Sequence, residues 1–308
     1  MISILLASYN GERFIAEQIE SLLNQTVQDF RIYICDDKST DSTWAILRGY
    51  AEKHPDILFI SQNEANSGGA KYNIFGMMAR HKDDYLMLCD QDDVWMPDKV
   101  ERTLARMKEG EAEFGAGTPL LIYTDLRVVD ENLETISPSF KEAMNADYHK
   151  TQFRHQIIQN TLTGCTAMYN RALANLIGEA PPYMVMHDWW LMLVASAFGK
   201  IAPLDEQTVL YRQHGKNEIG AKDVRTFRYK LHKILHYQEV KEALHGTYRQ
   251  AESFLCVYES LLTPAQKKLL MAYCDIPNHC KPVRWIIFCR LGVHKHGIAR
   301  KIAQLIYI

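Results

Sequence analysis

Three carboxylates fall within four positions of the sequence, at Asp90, Asp92 and Asp93, directly after the apolar run 85–88. Like charges this close repel each other, and no cationic residue lies among them. Carboxylate oxygens are the ligands that Mg²⁺ and Mn²⁺ prefer in proteins. The cluster therefore predicts a site where a divalent cation and the diphosphate of a nucleotide bind together. The alternative reading is a solvated turn or a helix cap.

Two later stretches also carry residue types suited to chemistry. In "MHDWWL" (186–191), Asp188 begins a predicted helix rich in large apolar residues. A carboxylate in a partly desolvated pocket gains affinity for protons, so Asp188 is a candidate general base, with helix capping as the alternative. In "YRQHGKN" (211–217), His214 could complete a metal shell, and Arg212 or Lys216 could hold a leaving diphosphate. A surface turn is the alternative there.

These residues need a scaffold, and the first third of the chain alternates short apolar runs with amphipathic stretches. Such alternation with short links predicts an α/β fold, a doubly wound, mostly parallel sheet flanked by helices. A polar cluster follows each of the first four predicted strands; the clusters are "ASYN" (7–10), "DDKSTD" (36–41), "NEANSGGAKYN" (63–73) and "DQDD" (90–93). Ligands of open parallel sheets bind beyond the carboxyl ends of the strands, so these clusters are expected at one edge.

The chain has neither a GxGxxG segment after its first strand nor a GxxxxGK[ST] segment. A dinucleotide-binding fingerprint and a P-loop are therefore both disfavoured. A nucleotide could bind differently: the Tyr9 ring could stack on a base, Asp37 could accept a hydrogen bond from a pyrimidine N–H, and Asp90 could bind ribose hydroxyls.

Composition narrows the class of protein. The 308 residues are 47% hydrophobic and 23% charged, which is typical of a globular protein. The seven cysteines include no CxxC pair, which disfavours structural zinc and a disulfide scaffold and favours a reducing compartment. The N-terminus lacks a secretory signal pattern, and no run of about 18 apolar residues predicts a membrane-spanning helix.

Charge divides the chain near residue 220. Residues 1–220 carry a net charge of −11 and residues 221–308 a net charge of +9, so the latter region is predicted to be a basic helical appendage. Residues 276–308 contain six Lys or Arg and no acid, mixed with Trp, Ile and Phe. This composition favours contact with an anionic membrane surface. Packing on the main domain is the alternative, and nucleic acid is not expected because no recognition motif accompanies the charge.

Taken in order, the motifs resemble those of family 2 glycosyltransferases with the GT-A fold, over roughly residues 2–217. "ICDDKSTDST" is similar to the family's "VDDGSTD" motif, with Lys38 where glycine is common. "NSGGAKYN", "DQDDVWMPDK" and "HDWW" resemble its N-x-G segment, its D-x-D motif and the motif that carries the catalytic base. The forms "CDQDDVW", "HDWW" and "YRQHGKN" are similar to a subgroup of rhamnosyltransferases that build bacterial surface polysaccharides.

The resemblance implies a domain at 1–220, with a nucleotide-sugar half at about 1–130 and an acceptor half at about 131–220, followed by the basic helical region 221–308. It implies that Asp188 deprotonates the acceptor and that Asp92 binds Mn²⁺ or Mg²⁺, with His214 expected to complete the metal shell. The residues expected to bind the nucleotide sugar are Ala7, Tyr9, Asn10, Asp37, Gly69, Lys71, Asn73, Asp90, Gln91 and Arg212.

The sequence thus predicts an inverting glycosyltransferase on the cytoplasmic face of a bacterial plasma membrane. The expected donor is dTDP-L-rhamnose, and a UDP-hexose is the alternative donor. The expected acceptor is a saccharide or a lipid-linked saccharide. Two less favoured alternatives are a nucleotidyltransferase, for which "SYNGERF" lacks a suitable glycine- and lysine-rich loop, and a nucleotide-sugar-binding protein without catalysis. One base and one displacement give inversion, because no second carboxylate is assigned as a nucleophile.

Overall fold

The computed structural model describes residues 1–214 and 237–308, and every statement of structure below refers to those ranges. The strands are β1 (Ile2–Ser8), β2 (Phe30–Asp36), β3 (Leu58–Gln62), β4 (Tyr85–Cys89), β5 (Val94–Trp95), β6 (Leu120–Val129), β7 (Thr135–Ser137), β8 (Ala167–Asn170) and β9 (Lys200–Arg212). The helices are α1 (Ile15–Leu23), α2 (Thr43–Lys53), α3 (Ala70–Arg80), α4 (Lys99–Phe114), α5 (Phe140–Ala143), α6 (Phe153–Gln156), α7 (Arg171–Ala174), α8 (His187–Phe198), α9 (Tyr237–Tyr258), α10 (Pro264–Cys274), α11 (Lys281–Leu291) and α12 (Ile298–Tyr307).

The described strands form one sheet in the order β3-β2-β1-β4-β8-β6-β9-β5, with β7 paired to β6. The first four strands along the chain are parallel to one another, and β8 then pairs antiparallel with both β4 and β6. Strand β1 is buried at nearly every position, as its unbroken apolar sequence predicts for a strand covered on both faces. The predicted α/β, doubly wound sheet followed by C-terminal helices is confirmed.

The order of the first four strands places a topological switch between β1 and β4. The chain moves outward from β1 through β2 to β3 and then returns to the other side of β1 as β4. Helices that connect strands in opposite directions leave a crevice at such a point, outside the carboxyl ends of the strands. The residues that follow β1 and β4 are therefore the ones that the fold places at this crevice.

The chain divides into two compact units that are interleaved in sequence. Unit 1 contains the sheet and comprises Met1–Phe140, Leu162–Ala180 and the residues from Gly199 to the end of the first described range. Unit 2 is helical and comprises Lys141–Thr161, Pro181–Phe198 and the C-terminal helices. The segments 141–161 and 181–198, assigned from sequence to the acceptor half of a contiguous domain, thus group with the C-terminal helices. The predicted boundary near residue 220 lies outside the described residues.

Aromatic side chains form the core of unit 2. The rings of Trp190 and Phe254 lie 5.4 Å apart between centroids, and those of Phe254 and Tyr258 lie 4.7 Å apart. Phe153 from α6 packs against the same Phe254 ring at 5.5 Å. Trp190 is therefore a core residue that joins α8 to α9. Across both described ranges, no helix combines the length and the apolar character needed to cross a bilayer.

Candidate functional site

The loop after β1 is held by a side chain from the loop after β4. The amide group of Gln91 accepts a hydrogen bond from the Tyr9 backbone N–H at 2.9 Å and donates one to the Tyr9 carbonyl at 3.0 Å. A methyl group added at Gly11 would lie only 2.3 Å from Gln91 Oε1, so only glycine leaves room for this amide. The Tyr9 ring is exposed above the loop. The predicted ligand-binding residue Gln91 thus positions Tyr9 at the switch between β1 and β4.

Asn10 fixes the other side of the same loop. Its backbone is in the left-handed region at φ 46°, where asparagine is among the most frequent non-glycine residues. The Asn10 N–H donates to Ser39 Oγ at 2.9 Å, and Asn10 Oδ1 accepts from the Thr40 N–H at 2.8 Å. These bonds join the loop after β1 to the loop after β2. Ala7 lies inside β1, in register with Cys35 of β2, and presents its backbone to the sheet.

The two aspartates at the end of β2, Asp36 and Asp37, are both buried and both accept hydrogen bonds from other side chains. Asp36 accepts hydrogen bonds from Ser8, Ser39 and Gln62 side chains, which brace the ends of three strands. Asp37, predicted to bind the base, accepts from Asn63 Nδ2 at 2.7 Å. It also accepts from the backbone N–H and the hydroxyl of Ser67, at 2.8 and 2.7 Å. Asp37 thus holds three donors, two on Oδ1 and one on Oδ2, and a base N–H would have to share this carboxylate with them.

The segment after β3 lines a small cavity beside Asp37. The cavity has a volume of about 280 Å³ and is bounded by Asn63, Tyr72, Asn73 and Arg80, among others. Asn73 is buried, and its side chain donates to the Cys35 carbonyl at 2.8 Å. Gly69 (φ 131°) precedes α3, and the Lys71 ammonium lies 4.9 Å from the Tyr72 ring centroid. Asn73 thus supports the β2 edge of this cavity from within the fold.

The three carboxylates of the acidic cluster differ sharply in surroundings. Asp90 and Asp92 are partly exposed, whereas Asp93 is completely buried. One oxygen of Asp93 accepts from the Arg212 backbone N–H at 3.0 Å, and the other has no nitrogen or oxygen partner among the described residues. Burial, with the neighbouring Asp92 and Asp90 carboxylates, raises the pKa of Asp93 well above its ordinary value. Asp93 is thus part of the interior, unlike Asp90 and Asp92.

A buried cation lies beneath this cluster. Lys99 is completely buried at the start of α4, and its ammonium donates to Thr208 Oγ1 at 3.2 Å and lies 4.6 Å from the Trp95 ring centroid. Burial lowers the pKa of Lys99 to about 8, while the nearby Cys165, Cys89 and Asp93 act in the opposite direction. The acidic cluster therefore has a partial counter-charge that the local sequence does not reveal.

Arg212 and His214 both reach the acidic cluster from the end of β9. His214 Nε2 lies 2.8 Å from Asp92 Oδ2, so the predicted metal pair comes together. The Arg212 guanidinium is buried and donates to the carbonyls of Asp92 (2.9 Å) and Glu131 (2.6 Å) and to the Glu17 carboxylate. These contacts give Arg212 a positioning role in unit 1, in place of the exposed cation that diphosphate binding would need. Lys216, the second candidate for that task, lies outside the described residues.

The residues at this crevice fit a divalent cation. Asp92 and His214 offer an oxygen and a nitrogen close enough to share one ion, and both are ligand types that Mn²⁺ accepts. Asp90, Asp93 and Cys165 form a second group whose ligand atoms lie within 4.8 Å of one another. In that group burial raises the pKa of Cys165 well above its ordinary value, which opposes the thiolate that a metal ligand requires. The pair Asp92 and His214 is therefore the better match for the predicted metal.

Asp188 belongs to unit 2, where it is the second residue of α8. Its carboxylate accepts a hydrogen bond from the Trp189 backbone N–H at 2.5 Å, and the Trp189 indole donates to the Gln156 carbonyl at 2.6 Å. The preceding His187 is buried, and neither of its ring nitrogens has a hydrogen-bond partner among the described residues. Asp188 thus sits at a helix start fixed by aromatic packing, and its role as a base remains a prediction.

Sequence reasoning missed Lys99, Asn63 and Ser67. A lysine at the start of a predicted helix is ordinarily exposed, so nothing in the sequence signals the burial of Lys99. Asn63 and Ser67 lie in the segment singled out after β3, and their contacts with Asp37 depend on how that loop folds back over β2.

Comparisons with known proteins agree with this architecture. The family model described as "Glycosyl transferase family 2" matches residues 3–177, more than half of the chain. The chain is 28% identical to the dTDP-rhamnosyl transferase RfbG of Shigella flexneri over 232 residues, which cover 70% of this chain and 74% of that protein.

Two solved structures share the fold. TarS 1–349 of Staphylococcus aureus, in complex with UDP-GlcNAc, has a TM-score of 0.57 and 20% identity, with coverage of 89% of this chain and 71% of that chain. The mannosyltransferase PcManGT of Pyrobaculum calidifontis, in complex with GDP-Man and Mn²⁺, has a TM-score of 0.54 and 14% identity, with coverage of 95% and 79%. The extent of the family match, together with the strand order and the site at the β1–β4 switch, identifies the chain as a member of glycosyl transferase family 2.

Proposed function

We propose that the chain is an inverting, metal-dependent glycosyltransferase whose donor is a sugar linked to a nucleoside diphosphate. The observation that carries the proposal is the junction at the β1–β4 switch. There, Gln91 joins the Tyr9 backbone to the acidic loop while the Tyr9 ring stays exposed, and Asp92 of that loop lies 2.8 Å from His214. An aromatic ring beside a set of cation ligands is what a nucleoside joined to a diphosphate requires.

In this proposal the donor spans the loops that follow the parallel strands. The Tyr9 ring stacks on the base, and Asp37 accepts a base N–H on Oδ2, which now accepts only the Ser67 hydroxyl. Asp90 binds the ribose hydroxyls, while Asn10, Asn73 and Gly69 shape the loops around the nucleoside. Lys71, near the start of α3, lies beside the diphosphate.

Asp92 and His214 would hold Mn²⁺ or Mg²⁺. When bound, the cation supplies positive charge that neutralises the diphosphate and stabilises it as a leaving group. The protein's own contribution is to fix the ligand pair: Arg212 donates to the Asp92 carbonyl and Phe14 packs 4.9 Å from the His214 ring. This support keeps the residues near the geometry that transfer needs.

Asp188 acts as the general base. It takes the proton of the acceptor hydroxyl as that oxygen forms a bond to the anomeric carbon. The bond from that carbon to the diphosphate oxygen breaks, and the nucleoside diphosphate leaves with the electron pair. A single displacement inverts the configuration of the sugar.

The donor proposed first is dTDP-L-rhamnose. This proposal is supported by the similarity to RfbG, which is described as a dTDP-rhamnosyl transferase. The match covers 74% of RfbG. A UDP-hexose is the second candidate, because TarS, which shares the fold, is seen with UDP-GlcNAc. The proposed acceptor is a saccharide or lipid-linked saccharide of a bacterial surface polysaccharide, reached at the cytoplasmic face of the plasma membrane.

The test is a panel of dTDP-, UDP- and GDP-sugars incubated with the purified chain and Mn²⁺, with free nucleoside diphosphate measured as the product of slow donor hydrolysis. The expected result is release from one donor class, abolished by EDTA and by Asp92→Ala. Met271→Ser, an exposed substitution in α10, serves as the matched control and should leave release unchanged. Failure to release nucleoside diphosphate from any donor, or equal release by Asp92→Ala, would refute the proposal.

A further inference from the structure

The last two helices of unit 2 form a packed pair. The Trp285 indole of α11 donates a hydrogen bond to the Leu305 carbonyl of α12 at 2.7 Å. Gln304 of α12 accepts from the Lys295 N–H in the connecting loop at 2.9 Å. Phe288, Val293 and Ile308 are buried. The two helices therefore have an inner side that is already satisfied by packing within the unit.

The outer side of this pair is apolar and exposed. Trp285 and Ile286 of α11 retain 44% and 51% of their exposable surface, and Ile302 and Ile306 of α12 retain 55% and 56%. Ile302 and Ile306 are one helical turn apart and so share a face, and Trp285 reaches α12 through Leu305. We call these four residues the α11–α12 face. Large side chains left exposed together indicate a surface that binds a partner.

The charged residues of these two helices are all basic. Lys281, Arg290 and Lys301 are exposed on the same two helices, and residues 276–308 contain no Asp or Glu. Two other arginines are engaged elsewhere: Arg284 donates to the carbonyls of His279 and Pro277, and Arg300 donates to that of Met144. Three cations are thus presented beside the apolar residues without a competing carboxylate on either helix.

A second exposed apolar pair in unit 2 has a different setting. Leu261 and Met271 retain 56% and 61% of their exposable surface, which matches Ile302 and Ile306. Met271, however, lines a surface depression together with Asp275 as well as Lys267 and Lys268, and Glu259 lies two residues before Leu261. Apolar exposure of equal extent thus occurs with charged neighbours of both signs in one place, and on helices that carry only basic charges in the other.

We propose that the α11–α12 face binds an anionic lipid bilayer, with the apolar side chains at the boundary of the acyl chains and the three cations at the phosphate headgroups. An exclusively basic rim matches a uniformly anionic surface, and Trp and Ile beside Lys and Arg is the composition of helices that lie in a membrane interface. This inference rests on the proposed function, since it places the enzyme at the membrane where a lipid-linked acceptor resides. Membrane binding can nevertheless be measured without glycosyl transfer.

The test is flotation of the full chain with vesicles of phosphatidylcholine alone or with 30% phosphatidylglycerol. Binding is expected on the anionic vesicles only, and it should fall as NaCl rises from 50 to 500 mM. Ile302→Ser with Ile306→Ser should reduce the partition coefficient roughly tenfold or more. Lys301→Gln should reduce it about fivefold, the effect of one cation at the surface.

The matched control is Leu261→Ser with Met271→Ser, which removes an equal apolar exposure and should leave binding unchanged. Far-ultraviolet circular dichroism and donor hydrolysis, compared with the parent chain, establish that each variant is folded. Equal loss in both double variants would overturn the proposal. So would equal binding to neutral vesicles, or a concentration-dependent dimer that only the Ile302/Ile306 variant lacks. Vesicle binding by a chain that hydrolyses no donor would sink the proposed function and support this inference.

Discussion

Replacement of Gln91 tests whether the acidic loop and the nucleoside loop act together. Gln91→Met keeps the length of the side chain and removes both hydrogen bonds to the Tyr9 backbone, which measure 2.9 and 3.0 Å. Each bond contributes about 1 kcal/mol net, so the pair contributes about 2 kcal/mol to holding Tyr9 in place. If the bound donor needs that position, nucleotide affinity should fall by up to about 30-fold, since 1.4 kcal/mol corresponds to tenfold.

The assay is isothermal titration of the nucleoside diphosphate that the donor panel identifies, with and without Mn²⁺. Gln91→Met should weaken binding in both conditions, because the Tyr9 loop is proposed to contact the nucleoside and not the cation. Gln91→Glu would set a carboxylate oxygen against the Tyr9 carbonyl and add a negative charge to the acidic loop, so its affinity should be no higher than that of Gln91→Met. Unchanged affinity in Gln91→Met, with an unchanged unfolding temperature, would refute the idea that this amide positions the nucleoside site.

Three further predictions concern the metal, the base and a buried histidine. Asp92→Ala should abolish the gain in nucleotide affinity that Mn²⁺ gives, measured by the same titration; an equal gain in the variant would exclude Asp92 as a ligand. Asp188→Asn should bind donor normally and lose transfer, measured as kcat with the identified acceptor, and full transfer would exclude it as the base. Burial lowers the pKa of His187 to about 3 in the folded state. Below about pH 6.5, the unfolded state therefore takes up a proton at this histidine that the folded state does not. Stability should therefore fall as the medium is acidified, by about 2 kcal/mol at pH 5 from this residue. His187→Phe should remove that part of the loss in denaturant unfolding, whereas His245→Gln, at an exposed position, should not.

Local pattern was sufficient for the first four strands and the polar clusters that follow them. Strands β1 and β4 are short, mostly apolar runs, and such runs typically form strands of a parallel sheet that is buried on both faces. Because parallel strands share one carboxyl edge, the convergence of Tyr9, Asp37 and the acidic cluster also followed from sequence. The proposal that His214 completes a metal shell came from the residue types of 211–217, and the distance of 2.8 Å between His214 and Asp92 is compatible with it.

The roles of individual polar residues did not follow from pattern. The sequence suggests that Arg212 is a cation available to a ligand. Its guanidinium instead donates hydrogen bonds to Asp92, Glu131 and Glu17, which lie 81 or more residues away along the chain. Asp37 reads as an open acceptor, yet Ser67 and Asn63 already donate to it. A polar side chain is defined by its partners, and partners this distant are set by the packing of the sheet.

The sequence by itself determined the alternation of elements, the edge at which the site forms and the basic character of the C-terminal region. Those properties depend on the spacing of apolar residues and on net charge, which are local or additive. Only the tertiary structure decided that Gln91 fastens Tyr9, that Lys99 lies buried under the carboxylates, and that 141–161 and 181–198 join the C-terminal helices. These depend on contacts between distant segments, where burial and geometry outweigh the preferences of each residue alone.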